Sequence, residues 1–134
     1  MNFEKNFILS ALNLAFLGSY SKNQIKLHKN MINWPDGIFS KIYGKQIKKL
    51  PGRDILKQIQ IPKKIKRIIV IGNLSITGNK YLKKNFKRKI VNYKLPFGTI
   101  EQIKKKSNFT FLPSDLIFIT LPTPKQEQIA HHLS

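Results

Sequence analysis

Carboxylates are the scarce reactive groups in this chain. Only six acidic residues, Glu4, Asp36, Asp54, Glu101, Asp115 and Glu127, stand against 25 basic ones. Asp36, Asp54 and Glu127 sit inside short turn-like motifs. A carboxylate in a turn at the end of a strand can take a proton from a substrate hydroxyl as a general base. Asp36, within Trp34-Pro35-Asp36-Gly37, is the best candidate for that task. The competing reading is plain turn chemistry, because Asp before Gly accepts turn geometry. On the residues by themselves, that reading outweighs catalysis. Lys125 stands at the start of a helix, where free N–H groups already favour a phosphate; a solvated lysine is the alternative. Asp54 suits a helix cap, and Glu127 suits a helix start, where negative charge is favourable. Trp34 and Phe97 are able to stack on a ring, but an aromatic beside proline is more often packing.

Metal and redox chemistry find little support. The three histidines, His28, His131 and His132, form no cluster with acidic residues at metal-ligand spacing. His131 and His132 are helix neighbours pointing in different directions. Cysteine is absent, which removes disulfides and thiolate sites. No cofactor is expected.

The elements that must position these residues follow from hydrophobic patterning. A short apolar run over 6–10 predicts a strand, and spaced apolar positions over 12–29 predict a helix. Trp34-Pro35-Asp36-Gly37 predicts a turn, 38–48 a short helix, and Leu50-Pro51-Gly52-Arg53-Asp54 a second turn leading into a helix over 55–60. The run 67–72, four β-branched residues ended by Gly72, predicts a buried strand. A helix over 74–89, a strand over 90–93 and a helix over 99–106 follow. A second apolar strand spans 115–120, then comes a turn over 122–124 and a helix from Lys125. Apolar strands alternating with helices imply an α/β domain, Rossmann-like, with a mainly parallel sheet flanked by helices. In such sheets ligands bind beyond the carboxyl ends of the strands, where Gly72-Asn73 and the segment 120–127 fall.

The chain of 134 residues, 41% of them hydrophobic, suits one domain with one packed core. The net charge of +19 implies a polyanionic partner (nucleic acid, anionic lipid or a diphosphate) or, with equal weight, a compositional bias rich in Lys, Ile and Asn. The apolar segment 7–18 falls short of the about 20 residues that span a bilayer, and Asn13 interrupts it. A cytoplasmic protein without a membrane span is the expectation.

Several of these turns, in this order, resemble the WecG/TagA/CpsF family of glycosyltransferases. Asn13 after the opening strand resembles the family's Thr-x-Asn signature. Pro35-Asp36-Gly37 matches its Pro-Asp-Gly turn, and Gly52-Arg53-Asp54, followed by Ile55, its Gly-x-Asp-Leu turn. The strand ending at Gly72 follows as in the family, and Pro96-Phe97-Gly98 matches a Pro-Pro-Phe-Gly stretch of some members. Pro124-Lys125-Gln126-Glu127 after an apolar strand matches the most specific motif, Gly-x-Pro-Lys-Gln-Glu. The matches spread from about residue 6 to residue 132.

The resemblance implies transfer of N-acetylmannosamine or a related sugar from a UDP-sugar to an undecaprenyl-diphosphate-linked amino sugar. The anomeric centre is inverted and no metal is essential. Teichoic acid, common antigen or capsule assembly would be served, at the inner face of the membrane. The resemblance makes Asp36 the base and places Asn13, Gly37, Arg53, Lys125 and Gln126 with the substrates. Asn13 and Gln126 would bond sugar or uracil, and Arg53 the acceptor diphosphate. Members often self-associate, which leaves a homo-oligomer open.

The chain also departs from the pattern. Ala11 replaces the family's Thr, so one hydroxyl is missing. Pro122 replaces a Gly, which stiffens the turn and removes an N–H. The chain ends where members continue with a further strand, a Gly-rich turn and basic residues, so a C-terminally truncated domain is expected. Two other function classes compete: an inactive remnant, favoured by the truncation, and a basic nucleic-acid-binding module, favoured by charge. Nucleic acid is not the expected partner, because no binding motif occurs and aromatic residues are not interleaved with the lysines.

Overall fold

The computed structural model describes residues 8–36, 51–95, 98–106 and 109–134. Every strand pairing among them is parallel, and strands alternate with helices. The α/β class with parallel, Rossmann-like sheets is therefore the observed one. Contacts group the chain into two units, one of Met1–Gln60 with Ala130–Ser134 and the other of Ile61–Ile129. Each is described by itself. The helix expected over 38–48 lies outside the described residues.

In the first unit, β1 (Ile8–Leu12) pairs in parallel with β2 (Met31–Pro35), from Ile8 opposite Met31 to Leu12 opposite Pro35. Between them runs α1 (Leu14–Ser21). The helix expected over 12–29 is thus much shorter. Asn13 starts it as a cap, and the chain leaves it through Asn23, whose φ of 56° is left-handed, a conformation Asn tolerates better than most residues. Trp34 and Pro35, expected in a turn, are the last residues of β2. Proline is tolerated at such a position because an edge strand needs no N–H from it. Among the described residues, Phe16, Ile25 and Ile8 are the buried apolar side chains here. The helix α2 (Gly52–Gln58) begins after Pro51 rather than at Ile55. Asp54 is not its cap. It lies in the first turn, where a carboxylate favours the positive helix end, and it pairs with Lys57 at 3.1 Å.

The second unit is built on β3 (Arg67–Gly72), flanked by β4 (Lys89–Tyr93) and β5 (Asp115–Thr120) in the order β4-β3-β5. A central parallel strand is covered on both faces, which is why an uninterrupted β-branched run is stable there. Ile68, Ile69, Val70 and Ile71 are all buried. Ile68 and Val70 cluster with Leu82 of α3 (Ile76–Phe86), and Ile90, Phe86 and Phe118 pack around them. The helices α4 (Ile100–Lys106) and α5 (Lys125–Leu133) complete the alternation.

The amino-terminal edge of this sheet is held by an ion pair. Arg67 donates from Nε and Nη2 to the two oxygens of Asp115, at 2.8 and 2.7 Å. The Asp115 side chain is 1% exposed, and Leu112 N–H also donates to it at 2.7 Å. The hydrogen bonds from Arg67, outweighing burial, hold the Asp115 carboxyl below its ordinary range. A depressed carboxylate stabilises the fold above its unfolded pKa and loses that contribution as pH falls through the folded one. Asp115→Asn is therefore expected to lower Tm by on the order of 5–10 °C at neutral pH. The gap to the parent chain should narrow as pH drops below the usual carboxylate range of about 4. Thermal melts from pH 7 to pH 2 read this directly, and a gap independent of pH would refute it.

Candidate active site

Strand ends carry the candidate chemistry. In the first unit β1 ends at Leu12 and β2 at Pro35, and these two residues are register partners. The next residues are Asn13 and Asp36, and the Asp36 N–H donates to Leu12 O at 3.1 Å. The candidate amide and the candidate base therefore leave neighbouring parallel strands at the same carboxyl edge. This is the edge at which open α/β sheets bind ligands.

Asn13 is also structural. Its Oδ1 accepts from Phe16 N–H at 2.9 Å and so caps α1. A capping amide of this kind contributes about 1 kcal/mol to helix stability. The start of α1 thus lies at the carboxyl edge of β1, the edge that also carries Asp36. A carboxylate is favoured beside such a start on electrostatic grounds, so Asp36 has a structural reason to be there as well.

Gly52 stands near the same motif. A Cβ built on it would meet Trp34 Cζ2 at 3.9 Å, so the first turn of α2 comes against the indole two residues before Asp36. Arg53 is the second residue of that helix; its side chain and Gly37 lie outside the described residues. The buried Trp34 Nε1 has no hydrogen-bond partner among the described residues, whereas a buried indole N–H usually finds one. Trp34 is thus the side chain that sequence reading set aside as packing and that the fold places in the candidate site. Nothing in its sequence context, an aromatic before proline, distinguishes the two cases. In the same unit His28 and His131 meet ring to ring with centroids 5.2 Å apart, a contact between positions too distant in sequence to be anticipated. Among the described residues no group of three metal-ligating side chains forms.

The second unit holds the remaining candidates. Lys125 and Gln126 open α5, after a cis peptide between Thr123 and Pro124. Lys125 Nζ donates to Gly98 O at 2.8 Å. This bond ties the segment after β5 to the segment after β4, and so joins two of the sequence motifs noted above. Pro96 and Phe97 themselves lie outside the described residues. Gln126 Nε2 donates to Glu127 Oε1 at 2.6 Å and to Thr123 Oγ1 at 3.1 Å. Glu127, 2% exposed, supports the helix start as its position in the first turn suggested.

At the carboxyl end of β3 stand Asn92, which was not singled out from sequence, and Thr120, the first residue of the segment 120–127 noted above. Asn92 Nδ2 donates to Val70 O and Gly72 O at 3.0 and 3.1 Å. Thr120 Oγ1 donates to Asn73 O at 3.1 Å. Together they fix the turn that leaves the strand at Gly72, where φ is +117°. A Cβ there would sit 2.5 Å from Thr120 Oγ1 and 3.3 Å from the Thr120 carbonyl. Gly72→Ala is expected to cost about 1–3 kcal/mol, since the backbone is strained for any side chain. Adding Thr120→Ala should restore only the part due to the hydroxyl contact. Urea melts of the two variants check this, and an unchanged midpoint for Gly72→Ala would contradict it.

No family model, curated protein or solved structure matches this chain.

Proposed function

We propose that the chain is an inverting glycosyltransferase domain. It moves N-acetylmannosamine or a related sugar from a UDP-sugar to an undecaprenyl-diphosphate-linked amino sugar in cell-surface polysaccharide assembly. The observation that carries this reading is the placement of Asn13 and Asp36 side by side at the carboxyl ends of β1 and β2. In this reading Asp36 removes the proton of the acceptor hydroxyl while its oxygen attacks the anomeric carbon. The bond to the UDP oxygen breaks on the opposite face, and UDP leaves with the electron pair. Arg53 supplies positive charge for the acceptor diphosphate, and Lys125, in the second unit, is assigned to a phosphate on the resemblance. The amides of Asn13 and Gln126, each a donor and an acceptor, address sugar or uracil, and Gly37 is assigned to substrate binding on the resemblance. No metal or cofactor enters. The protein works at the cytoplasmic face, against the membrane that holds its acceptor; no helix among the described residues is long and apolar enough to cross one.

A non-catalytic remnant is the second reading, and one observation favours it. Both assigned amides are already engaged within the fold, Asn13 Oδ1 as a cap and Gln126 Nε2 on Glu127. The test is UDP release from UDP-N-acetylmannosamine with a short-chain lipid diphosphate-N-acetylglucosamine, run beside calorimetric titration with the donor. Turnover supports the transferase. Donor binding without turnover supports the remnant, and the absence of both overturns the first reading.

A further inference from the structure

The charge of this chain is unevenly placed. Between Asp54 and Glu101 the sequence carries twelve basic residues and no acidic one. The second unit gathers much of that charge at one edge. Because β3 and β4 are parallel, α3 must return the chain to the amino-terminal edge of the sheet, and its end brings Lys83, Lys84 and Lys87 there. Lys89 opens β4, while Lys63 and Lys66 precede β3. Arg88 Nε donates to Ile65 O at 2.8 Å, which joins the α3–β4 turn to the segment before β3. All six lysines are exposed. Lysines at the end of α3 complement the negative end of the helix dipole, but that accounts for none of those before β3. Asp115, the carboxylate at this edge, is taken by Arg67.

An apolar side chain stands in the same place. Lys66 N–H donates to Ser114 O at 3.0 Å, so the turn before β5 lies beside the lysines. Leu112, which begins that turn by accepting from Asp115 N–H at 2.9 Å, is 51% exposed, and Pro113 is exposed with it. Lysines attract any polyanion, but a leucine among them gains nothing from a phosphate backbone in water. It gains from entering the boundary between headgroups and acyl chains. We propose that this edge is a docking face for an anionic lipid bilayer, with the lysines held at the headgroups and Leu112 inserted. The proposal stands whether or not the chain transfers sugar.

The test is co-sedimentation of the full chain with vesicles of phosphatidylglycerol and phosphatidylcholine, against phosphatidylcholine vesicles and a duplex DNA. Binding is expected to the anionic vesicles, to weaken with salt, and to be absent from phosphatidylcholine. The combined Lys83→Gln, Lys84→Gln, Lys87→Gln variant should bind on the order of 10²-fold more weakly. Leu112→Ser should bind about fivefold more weakly with an unchanged salt dependence. Both variants should keep the parent Tm and the parent response to UDP-sugar, which separates a failure here from a failure of the transferase reading. No binding to anionic vesicles at low salt overturns the proposal. Vesicle binding indifferent to Leu112→Ser, with DNA bound at least as tightly, overturns it in favour of nucleic acid.

Discussion

Asp36→Asn is expected to lower the rate of UDP release by about 10²–10⁴-fold, the usual contribution of a general base, while donor affinity stays near that of the parent chain. The substitution keeps size and shape but puts a neutral amide, which cannot take the proton, in place of the carboxylate. The bond that fixes the position of residue 36 comes from its backbone N–H to Leu12 O and does not depend on the side chain. The effect should therefore appear in kcat, with little change in KM or Tm. This split separates catalysis from the competing role of Asp36, a carboxylate placed for turn geometry or for the start of α1. In the structural case, Asp36→Asn would cost little, because Asn is as good in a turn, and kcat would survive. Asp36→Ala sharpens the contrast, since a structural carboxylate would show a lower Tm and a catalytic one a lower rate. Retained turnover in Asp36→Asn would remove Asp36 as the base and leave the transferase reading without its central residue.

The largest effect on stability is expected in β3, the central strand of its sheet. Ile71 is 0% exposed and stands in register between Tyr93 and Ile119. Ile71→Ala should cost about 2–5 kcal/mol, the transfer term of the lost methyl groups plus the cavity they leave. A sheet paired on both sides of Ile71 has little freedom to collapse into that space. At this chain length each kcal/mol is worth about 4 °C in Tm, so Ile71→Ala should lower Tm by roughly 8–20 °C. Ile71→Val should cost about 0.5–1.5 kcal/mol. Ile76, 78% exposed, is the control, and Ile76→Ala should stay within about 0.5 kcal/mol. Urea denaturation with an unchanged slope reads these differences as stability. Equal losses at Ile71 and Ile76 would contradict the burial that defines this core.

The two halves of the chain differed in how readily they could be read. The strands over 67–72 and 115–120 were legible because both carry unbroken apolar runs, the composition that the central strand β3 requires. The turn before Lys125 and the helix after it were legible from proline and the polar residues that follow. In the first unit β2 was not legible. Met31–Pro35 carries Asn33 and ends in proline, and it shows neither an unbroken apolar run nor a clean alternation. It is a strand because β1 pairs with it. The end of α1 was missed for a related reason, since apolar residues continue at helical spacing beyond Ser21 while the backbone reverses at Asn23.

The sequence by itself determined the α/β class, the central strand and the short set of residues able to do chemistry, because composition and turn propensity are local properties. Tertiary structure decided what those residues touch. Pairing of β1 with β2 set Asn13 beside Asp36, and helix starts claimed the amides of Asn13 and Gln126. Parallel return of the chain through α3 drew scattered lysines to one edge of the sheet. Each of these depends on contacts between positions far apart in the chain, and no pattern within either segment encodes its partner.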